Sequence, residues 1–149
     1  MGTFRIDCRI ENVGDRHRSA KVAKLLVDTG SEHTWLPAKT LERIGVKREK
    51  KDMTFQMANG QEVTRSVGFV VIHVEKFFTV DEAVFAEPGD LSLLGARTLE
   101  GFNASVDPKR KKLVASGPLT AAYAARDERD TGRWLPQQGR DRCRDKAGA

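Results

Sequence analysis

Leu25-Leu26-Val27-Asp28-Thr29-Gly30-Ser31, with Thr34-Trp35-Leu36 shortly after it, is the stretch that decides how the chain folds. The apolar runs on both sides predict two buried strands joined by a short polar loop. A carboxylate at the end of a buried strand is costly unless its charge is stabilised or a proton neutralises it, so Asp28 is predicted to belong to a site. Gly30 permits a tight turn and the close approach of another backbone or a substrate.

Two later segments extend this pattern. Ala58-Asn59-Gly60 separates two extended runs, and Asn-Gly in that setting is the strongest short-range signal for a β-hairpin. Leu93-Leu94-Gly95 is a short apolar run that ends in glycine, which by itself indicates only a buried strand meeting a turn.

Leu26-Val27-Asp28-Thr29-Gly30-Ser31 resembles the active-site loop of aspartic proteases. One such loop in a short chain is similar to the retropepsin-like group, which includes retroviral proteases and single-domain bacterial relatives. In that family a hairpin covers the substrate and a late apolar-apolar-glycine segment packs beside the catalytic loop, in the order found here. The resemblance covers roughly residues 3 to 114. It implies an all-β fold: a closed or partly open acid-protease barrel with one or two short helices, and half of an active site per chain.

The resemblance also implies roles for the residues of the loop. Asp28 would be catalytic, and Asp28 of a second chain would complete the site in a homodimer, with a water activated between the two carboxylates. Thr29 would bond across the dimer, and Gly30 would shape the loop and offer backbone to the substrate. Ser31 would donate a hydrogen bond to the ionised carboxylate, so Ser31→Ala is expected to shift the pH-rate profile toward neutral.

The two later segments take supporting roles by the same resemblance. Ala58, Asn59 and Gly60 would form a flap over an extended polypeptide substrate, which would make strand-like backbone contacts. Leu93, Leu94 and Gly95 would pack beside the loop. This chemistry requires neither a metal nor a cofactor.

The chain departs from the retroviral pattern after Gly95. Retroviral enzymes place an arginine directly after this glycine and pair it with an aspartate just past the catalytic triplet. Ala96 and Glu32 occupy those positions here, so the pair cannot form in the same way, and Arg97 is the candidate replacement. His33 is expected to be an exposed polar side chain, with a place beside the substrate as the alternative.

Local patterns predict the remaining elements. Alternation of apolar and polar residues from Phe4 to Glu11 predicts a half-buried strand. A short helix is expected to begin at Pro37 and to stop at Gly45, and a second to start around residues 98–100 and stop near Gly101. Further strands are predicted at residues 19–27, 61–67, 68–74 and 77–85, with a final hairpin around residues 107–110.

The character of the chain changes near residue 115. Residues 1–115 are predicted to form the retropepsin-like domain. Residues 116–149 are predicted to form a charged, flexible C-terminal tail, mostly disordered or loosely docked, with too little apolar content to build a core. Within the tail, residues 120–129 could form a small helix, and Tyr123 is a candidate self-cleavage site.

Composition is typical of one soluble globular domain, with 149 residues, 39% apolar and 32% charged. The chain lacks an apolar run of transmembrane length and a signal-peptide pattern, so no membrane contact and a cytoplasmic location are expected. Cys8 and Cys143 are expected as reduced thiols, and the scattered histidines predict no metal site. The net charge of +5 permits acidic partners, but no aromatic residues interleave the basic clusters, so nucleic-acid binding is not expected.

The sequence supports one principal function and leaves two others open. The principal one is an aspartic endopeptidase that acts as a cytoplasmic homodimer. A chain that stays monomeric would carry one carboxylate and could bind a polypeptide without cleaving it, as a binding or dimerisation module on the same fold. Nucleic-acid binding through the basic turns at residues 47–51 and 109–112 would show as a steep salt dependence of affinity.

Overall fold

A computed structural model of the chain describes residues 4–121. The chain divides into two compact units, Met1–Gly117 and Pro118–Ala149, and every strand and helix named below belongs to the first. In chain order these elements are β1 (Phe4–Asn12), β2 (Ser19–Val27), β3 (Thr34–Pro37), α1 (Ala38–Arg43), β4 (Lys50–Gln56), β5 (Glu62–Val74), β6 (Phe77–Ala86), β7 (Leu93–Leu94), α2 (Ala96–Phe102), β8 (Ala104–Asp107) and β9 (Lys112–Ala115).

Six strands close into a ring. The large sheet has the order β1-β2-β7-β3-β6-β5-β4, and β1 also pairs with β5, which joins the two sides of the sheet. β4 lies outside the ring and pairs with the first half of β5, while β8 and β9 form a separate hairpin. The predicted all-β barrel with two short helices is therefore confirmed.

The apolar runs are continuous because several strands are buried on both faces. Successive side chains of a strand point to opposite faces. In β3, Leu36 packs into the main core while Trp35 packs into a second apolar cluster, and in β7 Leu94 and Leu93 divide in the same way. The main core also takes side chains from β1, β2, β5, β6, both helices and the β8–β9 hairpin.

β7 is inserted between two strands that are neighbours in the chain. It runs parallel to β2, with Leu26 opposite Leu93, and antiparallel to β3, with Trp35 opposite Leu93. β2 and β3 are thus separated in space by one strand. The loop of residues 28–33, which connects β2 to β3, must cross the end of β7.

One predicted boundary, the break at Gly68, is wrong, and both Gly68 and Gly101 lie in close contact with a neighbouring segment. β5 is one strand and does not break at Gly68, where a Cβ would lie 2.4 Å from the Lys47 carbonyl oxygen. α2 spans Ala96–Phe102, so it begins two residues before the predicted start and ends one residue after the predicted stop at Gly101. A Cβ on Gly101 would lie 2.5 Å from Thr79 Oγ1. Both glycines permit close packing and do not end an element.

The first helix follows the prediction closely. Pro37 is the last residue of β3 and caps α1, and Gly45 follows the helix with a φ of +81°, the left-handed conformation typical of a C-terminal stop.

The predicted helix at residues 120–129 and the candidate cleavage site Tyr123 lie outside the described residues, except for positions 120 and 121. Between residues 4 and 121, no helix has both the length and the apolar character needed to cross a membrane.

Candidate active site

Asp28 is the first residue after β2, and the loop that it begins is held at both ends by backbone hydrogen bonds. Its backbone N–H donates to the Leu94 carbonyl at 3.0 Å, which continues the pairing of β2 with β7. Its carboxylate Oδ1 accepts the Gly30 N–H at 2.9 Å, and its carbonyl accepts the Ser31 N–H at 3.2 Å. The Asp28 side chain is half-buried, whereas Thr29 and Gly30 are exposed at the tip of the loop.

The start of α2 holds the other end of the loop. The first N–H groups of a helix have no partner within the helix. Here the Ala96 N–H donates to the Ser31 carbonyl at 2.7 Å, and the Arg97 N–H donates to the Glu32 carbonyl at 3.0 Å. The backbone at Gly95 comes so close to the loop that a Cβ there would lie 2.3 Å from the His33 carbonyl oxygen. The Leu94 carbonyl and the backbone of residues 95–97 therefore position the Asp28 loop.

A buried chain of hydroxyls supports this junction, and the sequence did not reveal it. The Gly95 N–H donates to Thr34 Oγ1 at 2.9 Å, and Thr34 Oγ1 lies 2.5 Å from Thr98 Oγ1. The Thr98 hydroxyl donates to Asp81 Oδ2 at 2.7 Å, so the Thr34 hydroxyl must donate to Thr98. Buried hydroxyls require partners, but no local pattern in the sequence pairs Thr34 with Thr98, which lie 64 positions apart.

Ser31 does not donate a hydrogen bond to the Asp28 carboxylate in the single chain. Its hydroxyl donates to the His33 carbonyl at 3.1 Å. The expected hydrogen bond from Ser31 to Asp28 is therefore not formed within the described residues, and the Gly30 N–H supplies that contact instead. Because one hydroxyl carries one proton, Ser31 would have to release His33 before it could donate to the carboxylate.

Arg97 does not replace the retroviral arginine. Its Nη1 lies 3.1 Å from His33 Nε2 and 4.0 Å from Glu82 Oε1, while Glu32 is exposed. Glu82 is the centre of this cluster, with Lys50 Nζ 2.7 Å from Oε2. The Lys50 hydrogen bond holds the pKa of Glu82 below its usual value. The expectation that His33 is exposed is also wrong, since its side chain is 18% exposed and lies 3.6 Å from the Glu82 carboxylate.

The predicted Asn-Gly hairpin is present and joins β4 to β5. The Met57 N–H donates to the Gln61 carbonyl at 2.7 Å, and the Gly60 N–H donates to the Met57 carbonyl at 2.8 Å. Gly60 has a φ of +87°, so backbone conformation is the reason for a glycine there. Ala58, Asn59 and Gly60 are all exposed at the tip.

An apolar cluster connects this hairpin to the strands that carry the loop. Its buried members are Trp35, Val67, Val84, Ala86 and Leu93, and Leu26, Met53, Phe55, Met57 and Val63 pack against them half-buried. The Phe55 ring meets Trp35 edge-on, with 5.3 Å between the ring centroids, and His33 at 5.4 Å. The inner face of the hairpin therefore lies over side chains that come just before and just after the Asp28 loop.

The chain contains a second Asp-Thr-Gly at positions 130–132, which the expectation of one such loop overlooked. Charged residues at positions 126–129 precede it, where Leu25-Leu26-Val27 precedes Asp28. It thus lacks the apolar lead-in that predicts a buried strand, and it lies outside the described residues.

Across residues 4–121, no group of three or more His, Cys, Asp or Glu side chains is placed to hold a metal ion.

Comparison with known proteins agrees with this geometry. The sequence matches the family described as "gag-polyprotein putative aspartyl protease" over residues 19–101, which is more than half of the chain. This span runs from the first residue of β2 almost to the end of α2, and so contains the Asp28 loop, the hairpin and the Leu93-Leu94-Gly95 segment. No curated protein matches the chain. The chain therefore belongs to the gag-polyprotein aspartyl protease family, and its barrel is a retropepsin-like aspartic protease domain.

Proposed function

We propose that the protein is an aspartic endopeptidase and that its active unit is a homodimer with one Asp28 from each chain. The placement of Asp28 carries this proposal. Its carboxylate is half-buried at the end of a core strand, and its loop is fixed by backbone hydrogen bonds to β7 and α2. The loop tip, Thr29 and Gly30, is left exposed and available to a second copy.

Two facing carboxylates provide the chemistry that one cannot. Because two close carboxylates cannot both ionise, they share one proton. The ionised Asp28 accepts a proton from a water as the water oxygen bonds to the scissile carbonyl carbon, and the protonated Asp28 donates toward the carbonyl oxygen. Collapse of the tetrahedral intermediate breaks the C–N bond, and a carboxyl proton passes to the leaving nitrogen.

The substrate would be an extended polypeptide held between the β4–β5 hairpin and the apolar cluster. A peptide in this position can bond to exposed backbone as an added strand, with alternate side chains in pockets. The half-buried inner residues Met53, Phe55 and Met57 favour apolar substrate side chains close to the scissile bond. Ala58, Asn59 and Gly60 would then act as the flap.

Cleavage of a mixed peptide substrate from about pH 4 to pH 7 tests this function. The wild-type chain is expected to cleave, Asp28→Asn to lose activity, and Asp130→Asn, which alters the second Asp-Thr-Gly, to keep it. Sedimentation of the same samples should show a dimer at the concentrations that cleave. Equal cleavage by wild type and Asp28→Asn would overturn the catalytic assignment. Loss of activity in Asp130→Asn alone would show that the second Asp-Thr-Gly, and not the first, carries the catalytic aspartate.

A polypeptide-binding or dimerisation module on the same fold is the second candidate. It is favoured by one observation, the absence from residues 4–121 of an arginine side chain paired with Glu32. A dimer lacking that support could hold the two carboxylates too loosely for catalysis. A proven dimer that binds peptide without cleaving it, in wild type and Asp28→Asn alike, would establish this function instead.

A further inference from the structure

The outer part of the β4–β5 hairpin is attached to the barrel by side chains only. β5 pairs with β6 from Val67 onward, and β4 pairs with no strand other than β5 among the described residues. Residues 53–65 thus make backbone hydrogen bonds only to one another in the part of the chain that the structure describes. Residues 53–65 must therefore be held against the barrel by the apolar contacts of their inner face or by a polar contact at their edge.

One ion pair supplies the polar contact. Arg65 Nε donates to Asp90 Oδ2 at 2.7 Å, and Arg65 Nη2 donates to Asp90 Oδ1 at 2.9 Å. The two side chains are 17% and 11% exposed. Within residues 4–121 no other ion pair or side-chain hydrogen bond joins residues 53–65 to another element. A shielded, two-pronged pair of this kind is stronger and more directional than an exposed one.

The Asp90 carboxylate is held in place by a hydrogen-bonded β-turn. Glu87, Pro88, Gly89 and Asp90 form a type II β-turn, with proline second, Gly89 third at a φ of +98°, and the Asp90 N–H donating to the Glu87 carbonyl at 2.8 Å. The Glu87 N–H also donates to Asp90 Oδ2 at 2.8 Å. This turn connects β6 to β7, and β7 is the strand whose Leu94 carbonyl holds the Asp28 N–H. The ion pair therefore joins the hairpin to the support of the Asp28 loop.

We propose that Arg65 and Asp90 form a latch that holds the β4–β5 hairpin closed over the apolar cluster, and that its release opens the site to substrate. The two are positioning residues, since neither reaches Asp28. The latch itself follows from the contacts above, while its effect on cleavage rests on the proposed endopeptidase function. Hydrogen bonding from Arg65 keeps the pKa of Asp90 below its ordinary value of 3.8, so the pair persists in mild acid.

Exposure of Trp35 reports the state of the latch without any need for cleavage. Trp35 is 6% exposed and is covered by Phe55 of the hairpin, so opening should admit acrylamide to the indole. The experiment uses the full chain with Trp134→Phe, so that Trp35 is the fluorophore observed. Asp90→Asn keeps an acceptor for the Glu87 N–H but loses the negative charge. Both Asp90→Asn and Arg65→Met are expected to raise the acrylamide quenching constant of Trp35 about two- to fivefold. Arg65→Lys, which keeps the charge without the two-pronged geometry, should fall between.

Two further variants make the test specific. Glu42→Gln removes the more exposed Arg48–Glu42 pair, 2.7 Å long in the structure, and should leave quenching unchanged. The double exchange Arg65→Asp with Asp90→Arg should restore at least part of the protection. Unchanged quenching in both Asp90→Asn and Arg65→Met, or an equal rise in Glu42→Gln, would overturn the latch.

Peptide cleavage by the same variants separates the latch from the proposed function. The hairpin must open to admit substrate and close over it to hold it, so Asp90→Asn, which weakens the closed state, is expected to raise KM more than it lowers kcat. Increased quenching with no cleavage by the wild-type chain would support the latch and overturn the endopeptidase. Intact cleavage with unchanged quenching would overturn the latch alone.

Discussion

Gly95 lies directly against His33, at a separation where a Cβ on Gly95 would be 2.3 Å from the His33 carbonyl oxygen. The contact joins the end of β7 to the loop that carries Asp28, although the two residues are far apart in the chain. No side chain takes part on the β7 side. The geometry of the candidate active site therefore depends on a hydrogen atom in place of a methyl group at position 95.

Gly95→Ala should damage both stability and the site. The methyl group would push against backbone atoms of His33 and Glu32, which cannot rotate away as a side chain would. We expect a loss of about 2 to 4 kcal/mol in the free energy of unfolding, measured in urea, and loss of peptide cleavage. Gly14→Ala is the matched control, since a Cβ there meets only Asn12 Oδ1 at 3.4 Å. Similar unfolding midpoints for the two variants would contradict the close-contact argument.

Thr34→Val should destabilise the protein more than the loss of one hydroxyl suggests. Valine has the same shape, but it leaves the buried Gly95 N–H without its acceptor and Thr98 without its donor. A cost of about 1 to 3 kcal/mol is expected by urea unfolding, and Thr98→Val should cost a similar amount. The double variant should lose less than the two single losses added together, because the residues share one network. Exposed Thr54→Val serves as the control, and additive losses would argue against a shared network.

Glu11 should make the fold sensitive to acid. Its side chain is 6% exposed on β1, and burial favours the neutral form. Hydrogen bonds from His73, Arg16 and Arg9 outweigh burial and lower the pKa of Glu11 from 4.5 to about 2.

Because the folded pKa lies below the unfolded one, the stabilisation is complete above about pH 4.5 and is lost as the pH falls toward about 2. This contribution of Glu11 to the free energy of unfolding is about 2 kcal/mol, because solvent at the edge of the cluster screens part of the interaction. Urea midpoints measured across this range should fall with pH in the wild type and fall less in Glu11→Gln. Parallel curves would show that Glu11 does not carry the effect.

Ser31→Ala distinguishes two partners for one hydroxyl. Because Ser31 Oγ donates to the His33 carbonyl, its removal should cost about 1 kcal/mol of stability and leave the pH-rate profile of peptide cleavage unchanged. The family resemblance alone predicts a shift of that profile toward neutral. Such a shift would show that the hydroxyl turns to Asp28 when the second chain is present, and would contradict the bonding found in the single chain.

Short-range patterns in the sequence determined much of the architecture. Alternation along β1, the Asn59-Gly60 turn and the Gly45 helix stop each depend on backbone conformation or on burial within a few residues, and the structure has all three. The apolar runs around Asp28-Thr29-Gly30, together with the later hairpin and the Leu93-Leu94-Gly95 segment, were enough to indicate the family. Gly68 lies inside β5 and not at the predicted strand break, because a glycine that permits close packing is identical in sequence to one that ends an element.

The tertiary structure alone decided which side chains meet at the site. Thr34 bonds to Thr98 across 64 positions of the chain, and Arg65 bonds to Asp90 across 25. These contacts exist because β7 enters between β2 and β3 and because the hairpin folds back over the barrel. A strand's own sequence sets which of its faces is buried, but it does not specify the neighbouring strand that will cover that face. The sequence could therefore locate the carboxylate, whereas the contacts that hold its loop and cover it arose only when distant strands came together.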